Sequence, residues 1–271
     1  MVPLQQKGAL QKVLTMASLK PASVALWISI ALLCILLLPS SIYRLKPPGP
    51  GECPVGSHLR HSLLIVGDSL SVAVGEQLER YFARYSNCVV FHRLGKVSSG
   101  LARPEFFDWE QNLKDLVGRQ QPDIVAIMLG ANDNKPLKKE NLTIEFGASP
   151  WCREYAARLQ RLYEICLDGN PKVRVFWIGV PIMGDPALTR DMKTINKTIE
   201  SWCRDKPDCE YVNTWSALAD SDGQYTQYHR DEQTGESLAI RAKDGVHLSA
   251  YGAWILAGVT IDSITKYCAF E

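Results

Sequence analysis

Ser69, Gly100, Asn132, Asp244 and His247 are the residues of this 271-residue chain whose types fit chemistry at an ester carbonyl. A lone serine hydroxyl is a poor nucleophile. It needs a base to take its proton, and the base needs an acid to fix its tautomer. Asp244 and His247 sit three apart in "DGVH", so one tight turn can put both on the same side. A developing oxyanion needs donors, and the backbone N–H groups of Ser69 and Gly100 and the side-chain amide of Asn132 are candidates. Each residue has a plainer reading. Ser69 reads equally as the N-cap of a helix beginning near Ser71, and Gly100 as a turn glycine. Asn132 and Asp133 read as turn formers before Pro136, and His247 as an ordinary surface histidine beside an Asp-Gly turn. The plainer readings must all hold together for the chemical one to fail. Asp68 and Asp133 are assigned to local hydrogen bonding.

The elements that must position these residues alternate in type. "SLLIV" (62–66), "CVVFH" (88–92), "DIVAIML" (123–129), "VRVFWIGV" (173–180) and "EYVNT" (210–214) read as strands, the third and fourth apolar enough to be buried on both faces. Residues 71–85, 152–167, 187–203 and 249–267 read as helices. Such alternation predicts an α/β fold with a parallel sheet wrapped on both faces. "YTQYH" and "SLAIR" around "RDEQTGE" predict a surface hairpin within 220–241. In open parallel sheets, ligands bind beyond the carboxyl ends of the strands, and Ser69, Gly100 and Asn132 each follow one.

"GDSL", "SSG", "GAND" and "DGVH", in this order, resemble the four blocks of the GDSL/SGNH hydrolase superfamily. "SSGLARPEFFDW", "VAIMLGAND", "VFWIGVP" and "IRAKDGVHLSAYG" are further similar to a bacterial cell-envelope branch of undefined substrate. The resemblance implies a three-layer α/β/α sandwich with about five parallel strands. It implies Ser69 as nucleophile, His247 as base, Asp244 as acid, and Ser69, Gly100 and Asn132 as oxyanion donors. Arg103 and Arg241, flanking the Gly100 and Asp244 loops, are candidates to bind a carboxylate or sugar hydroxyl of the substrate, the plainer reading being structural salt bridges. Phe106, Phe107 and Trp109 either wall the pocket or pack the core.

Composition bears on compartment. "ASVALWISIALLCILLL" (22–38) carries no charge and, with its flank to residue 43, is long enough to cross a bilayer. The reading is a tail (1–21), a single transmembrane anchor (22–43), a stiff linker (44–59) and an SGNH-like domain (60–271), with a cleaved signal peptide as the rival. Of 30 basic and 29 acidic side chains, five basic and no acidic ones lie in residues 1–46, which leaves 25 and 29, a net −4, for the rest. That balance offers no footprint for nucleic acid. Seven of eight cysteines follow the anchor, which fits an oxidising compartment. Cys203 and Cys209 can clip a short turn, while Cys152 and Cys166, on one helix about 21 Å apart, cannot bond each other. No Cys-x-x-Cys pair exists and nothing completes a metal site around His58 and His61, so no metal and no cofactor is expected.

The expectation is therefore an enzyme of the bacterial inner membrane with its domain in the periplasm or outside. It would be a serine esterase or O-acyltransferase, moving acetyl or succinyl groups on a cell-envelope glycan through an acyl-Ser69 intermediate. The alternatives are a lipid or thioester hydrolase with the same triad, and a non-catalytic glycan-binding module on the same fold.

Overall fold

The computed structural model describes residues 60–231 and 234–266. The expected tail, anchor and linker lie outside them. Among the described residues, no helix is long and apolar enough to cross a membrane.

Five strands form one parallel sheet: β1 (His61–Gly67), β2 (Val89–Gly95), β3 (Ile124–Met128), β6 (Arg174–Ile178) and β7 (Cys209–Val212), in the order β2-β1-β3-β6-β7. All five residues of β3 are buried, as expected of a central strand covered on both faces. Five helices connect and cover the sheet: α1 (Ser69–Phe82), α2 (Trp109–Gln120), α3 (Ser149–Gly169), α4 (Pro186–Cys203) and α5 (Ala250–Thr265). The chain first winds outward from β1 to β2, then reverses across β1 to β3. With right-handed crossovers, this reversal puts α1 on one face and α2, α3 and α4 on the other. Accordingly α1 packs against α5, and α3 against both α2 and α4. The expected α/β sheet and its layers are present.

Two elements were not visible in the sequence. Helix α2 buries only Trp109, Leu113 and Val117, a stripe one residue wide that leaves most of "WEQNLKDLVGRQ" polar. The hairpin of β4 (Leu137–Lys139) and β5 (Leu142–Ile144) has three-residue strands, too short to show alternation. The expected hairpin within 220–241 forms as β8 (Tyr228–Arg230) and β9 (Ser237–Ala239). Cys203 and Cys209 are disulfide-bonded at a Cα separation of 5.5 Å, and Cys152 and Cys166 are both free thiols.

The reversal of strand order between β1 and β3 opens the crevice where such sheets bind ligands. Ser69 stands just past the end of β1, the loop holding Gly100 follows β2, and Asn132 follows β3. One edge of the crevice is tightly built: a Cβ on Gly67 would collide with the Met128 carbonyl oxygen of the neighbouring strand. Only glycine lets β1 turn into α1 this close to β3.

Candidate active site

The nucleophile's position is set by its neighbour. Asp68, not Ser69, is the N-cap of α1: its Oδ1 accepts the Leu70 N–H at 3.0 Å. Ser69 is thus the first helical residue, and its hydroxyl is left for other work. Asp68 Oδ2 also accepts the Ala131 N–H at 3.2 Å, so one buried carboxylate ties the end of β1 to the loop after β3.

Ser69 Oγ lies 3.0 Å from His247 Nε2, and His247 Nδ1 lies 2.7 Å from Asp244 Oδ2. The carboxylate can only accept, so Nδ1 carries the proton and Nε2 is left as the acceptor for the Ser69 hydroxyl. The other Asp244 oxygen accepts the backbone N–H groups of Val246 and His247, each at 2.9 Å. These bonds close the "DGVH" turn that puts both side chains on one side. The His247 side-chain hydrogen bond, followed by the two backbone donors, pulls the Asp244 carboxyl down to about 2. It is therefore ionised throughout the working range and holds the imidazole in one tautomer.

The donor side is equally fixed. Asn132 Nδ2 donates to the Ser99 carbonyl at 2.9 Å. An amide nitrogen has two hydrogens, so this bond orients the group and leaves the second N–H available. Next to it, buried Asp133 accepts the Ala102 N–H at 2.7 Å and the Tyr155 hydroxyl at 2.8 Å. Its carboxylate lies so close to Gly100 that a Cβ there would collide with it. Trp109 Nε1 donates to Ser99 Oγ at 3.1 Å, and Arg158 donates to the Leu101 carbonyl at 2.5 Å. The loop from Ser99 to Ala102 is thus held by hydrogen bonds at Ser99, Leu101 and Ala102. Among the described residues, neither the Ser69 nor the Gly100 backbone N–H has a hydrogen-bond acceptor. Removing the Asn132 amide, as in Asn132→Ala, should lower kcat by about 10²–10³-fold with little effect on KM, measured by steady-state ester hydrolysis.

Asp68 makes the local hydrogen bond expected of it, to Leu70, whereas the Asp133 carboxylate bonds across the fold, to Ala102 and Tyr155, and both are buried. Burial pushes the Asp68 carboxyl up to about 7, aided by the nearby Asp133, and burial raises Asp133 as well. A carboxyl that binds its proton more tightly when folded stabilises the fold below its unfolded pKa, here about 4. That contribution is lost as pH rises towards about 7. The melting-temperature advantage of the native protein over Asp68→Asn should therefore shrink between pH 4 and pH 7, measured by thermal unfolding across that range.

The two arginines fall in different places. Arg241 is 1% exposed. It donates to the Val246 carbonyl at 2.8 Å and to the Ile182 carbonyl, and its guanidinium lies 5.9 Å from the Tyr225 ring centre. It staples the loop after β6 to the peptide immediately before His247. Burial lowers it to about 10, so it stays charged at neutral pH. Arg241→Met, which keeps the stem and removes the donors, should cost about 10²-fold in kcat through misplacement of His247. Steady-state kinetics with a melting curve would check this. Arg103 instead stays partly exposed on the loop that carries Gly100. Trp109 belongs to the core, Phe107 packs against it at 4.8 Å between ring centres, and Phe106 stands 47% exposed.

A parallel five-stranded sheet in this order, with Ser69, Gly100, Asn132 and the Asp244–His247 turn gathered at one end, defines the SGNH-hydrolase fold. Residues 62–263 match the family described as "Protein of unknown function (DUF459)", and the chain belongs to that family. The structure is similar to the periplasmic domain of the Salmonella ser. Paratyphi A lipopolysaccharide acetyltransferase, at 15% identity and a TM-score of 0.53, over 76% of this chain and 84% of that one. It is similar to a family 3 carbohydrate esterase from Talaromyces cellulolyticus, at 16% identity and a TM-score of 0.52, over 76% and 97% of the two chains. A protein from Slackia heliotrinireducens described as an SGNH hydrolase shares 14% identity at a TM-score of 0.53, over 76% and 99%. No curated protein matches in sequence.

Proposed function

We propose that this protein is a serine esterase or O-acyltransferase that moves small acyl groups, acetyl or succinyl, on a cell-envelope glycan. In this reading residues 22–43 anchor it in the bacterial inner membrane and the domain works on the outer side. The observation that carries the proposal is the hydrogen-bonded chain from Ser69 Oγ through His247 to Asp244, at 3.0 and 2.7 Å. Ser69 attacks the acyl carbon as His247 Nε2 takes its proton. The tetrahedral oxyanion is met by the Ser69 and Gly100 N–H groups and the second Asn132 N–H. Collapse returns the proton from His247 to the leaving alcohol and leaves acyl-Ser69. An acceptor activated by the same imidazole then takes the acyl group: water in a hydrolase, a sugar hydroxyl in a transferase.

A glycan substrate is supported by the charge-free anchor segment, by cysteine use that fits an oxidising compartment, and by the likeness to an acetyltransferase of lipopolysaccharide and to a carbohydrate esterase. The triad is open to solvent, as an acceptor as large as a polysaccharide requires. The test is p-nitrophenyl acetate turnover by the full chain, with mass spectrometry of the peptide containing Ser69. A burst of nitrophenol with an acetyl adduct on Ser69 is expected. An adduct elsewhere, or hydrolysis with no adduct under rapid acid quench, would remove the acyl-enzyme reading.

A further inference from the structure

Resting on that reading, we propose that Lys96 and Arg103 form a subsite for an anionic group, a carboxylate or phosphate carried by the substrate glycan, at the rim beside Ser69. Both lie on the segment that leaves β2 and carries Gly100. Its first residue is bound to the nucleophile's own turn, since the Lys96 N–H donates to the Gly67 carbonyl at 2.9 Å. The exposed Phe106 ring has the Arg103 guanidinium 5.1 Å and the Lys96 ammonium 5.7 Å from its centre, and Lys96 also lies 5.6 Å from the Phe107 ring.

The way these cations are held is the argument. Arg93, Arg158, Arg161 and Arg174 each meet a carboxylate within 4.0 Å, while Lys96 and Arg103, like several other surface cations, meet none among the described residues. What sets these two apart is that they share one aromatic ring. An aromatic face orients a cation without neutralising it. Arg103 is steadied further by donating to the Ser98 carbonyl at 2.5 Å, while its Nε is buried with no acceptor. Two like charges gathered on one ring, in a domain (60–271) of 25 basic and 28 acidic side chains, make a local field that an anion relieves. Nothing in the core requires the arrangement, for Lys96 and Phe106 are exposed. Asp108 spends its carboxylate capping α2, which leaves Glu105 as the acid of the rim without an ion-pair partner among the described residues. A neutral sugar would gain nothing from either cation. An acidic one would be held with its acyl ester within the chain's reach of Ser69.

The experiment uses the full chain carrying Ser69→Ala, so that binding is read without turnover. The probes are a galacturonic acid hexamer and its carboxyl-reduced counterpart, titrated by calorimetry at two salt concentrations. The acidic hexamer should bind at least about tenfold tighter than the neutral one, with the preference shrinking as salt rises. Lys96→Gln and Phe106→Leu should each erase most of that preference, and Glu105→Gln should increase it, which a merely structural patch would not do. Equal affinity for both hexamers overturns the inference. So does an acidic preference untouched by the three rim variants, or no binding of the acidic hexamer at about 5 mM by a protein that melts normally. Acetyl trapping on Ser69 is read separately: trapping without acidic preference removes the subsite alone, and preference without trapping removes the enzyme reading alone.

Discussion

Ser69→Ala should lower kcat for p-nitrophenyl acetate by about 10⁵–10⁶-fold and abolish the acetyl adduct, while the melting temperature stays within a few degrees. The size of the kinetic effect follows from the serine being the atom that forms the new bond. The small effect on stability follows from the local structure. Asp68 caps α1 and Ser71 Oγ bonds back to the Asp68 carbonyl at 2.7 Å, so the turn after β1 does not depend on the Ser69 hydroxyl. His247→Ala should cost nearly as much, and the double variant no more than either single one, because the two side chains act in one proton transfer. What remains, about 10³–10⁴-fold over water, would be owed to the Gly100 and Asn132 donors and to binding. A fall of less than about tenfold in the single variant would return Ser69 to the role of an ordinary helical residue.

How far the site could be read beforehand depended on whether its residues sit in motifs or in contacts. Ser69, Gly100, Asn132 and the Asp244–His247 turn each follow or close a recognisable element, and the long apolar runs of β3 and β6 locate two of the strand ends directly. The residues that hold the site carry no such signal. From the chain the Asp68 and Asp133 carboxylates read as groups for local hydrogen bonding. That one ties β1 to the loop after β3, and the other the Gly100 loop to Tyr155, depends on strand order, which periodicity does not encode. Arg241 shows the limit most clearly. From the chain it is a cation beside the "DGVH" turn, open to a substrate or, more plainly, to a scaffold. Its direction is decided by the Ile182 carbonyl, 59 residues away in sequence, and by the Val246 carbonyl. Arg103, with the same spacing logic on the other side, ended on an exposed ring instead. Helix α2 escaped for a different reason: its buried face is one residue wide, so its amphipathic signal is faint although Trp109 anchors both the helix and Ser99.

Asp244→Asn should lower kcat by about 10⁴-fold while leaving the fold and the Ser69–His247 separation nearly unchanged. The asparagine oxygen can still accept the Val246 and His247 N–H groups that close the turn, now made to Asp244 Oδ1 at 2.9 Å. Its amide nitrogen would then face His247 Nδ1, where Asp244 Oδ2 stands at 2.7 Å. Two donors cannot share that contact, so Nδ1 must give up its proton and Nε2 must carry it. The imidazole would then point a hydrogen at Ser69 Oγ and could not take one, a base lost through its tautomer. The native carboxyl, held down to about 2 chiefly by the His247 hydrogen bond, stays ionised across the assay range. The Asp244 carboxyl should therefore add no fall of its own to the acid limb of the native pH–rate profile above about pH 3. Asp244→Glu, which keeps the acceptor at a longer reach, should recover part of the rate where Asp244→Asn does not. Equal rates for the two variants would mean that the carboxylate serves only to close the turn, since charge and tautomer would then be irrelevant to the step.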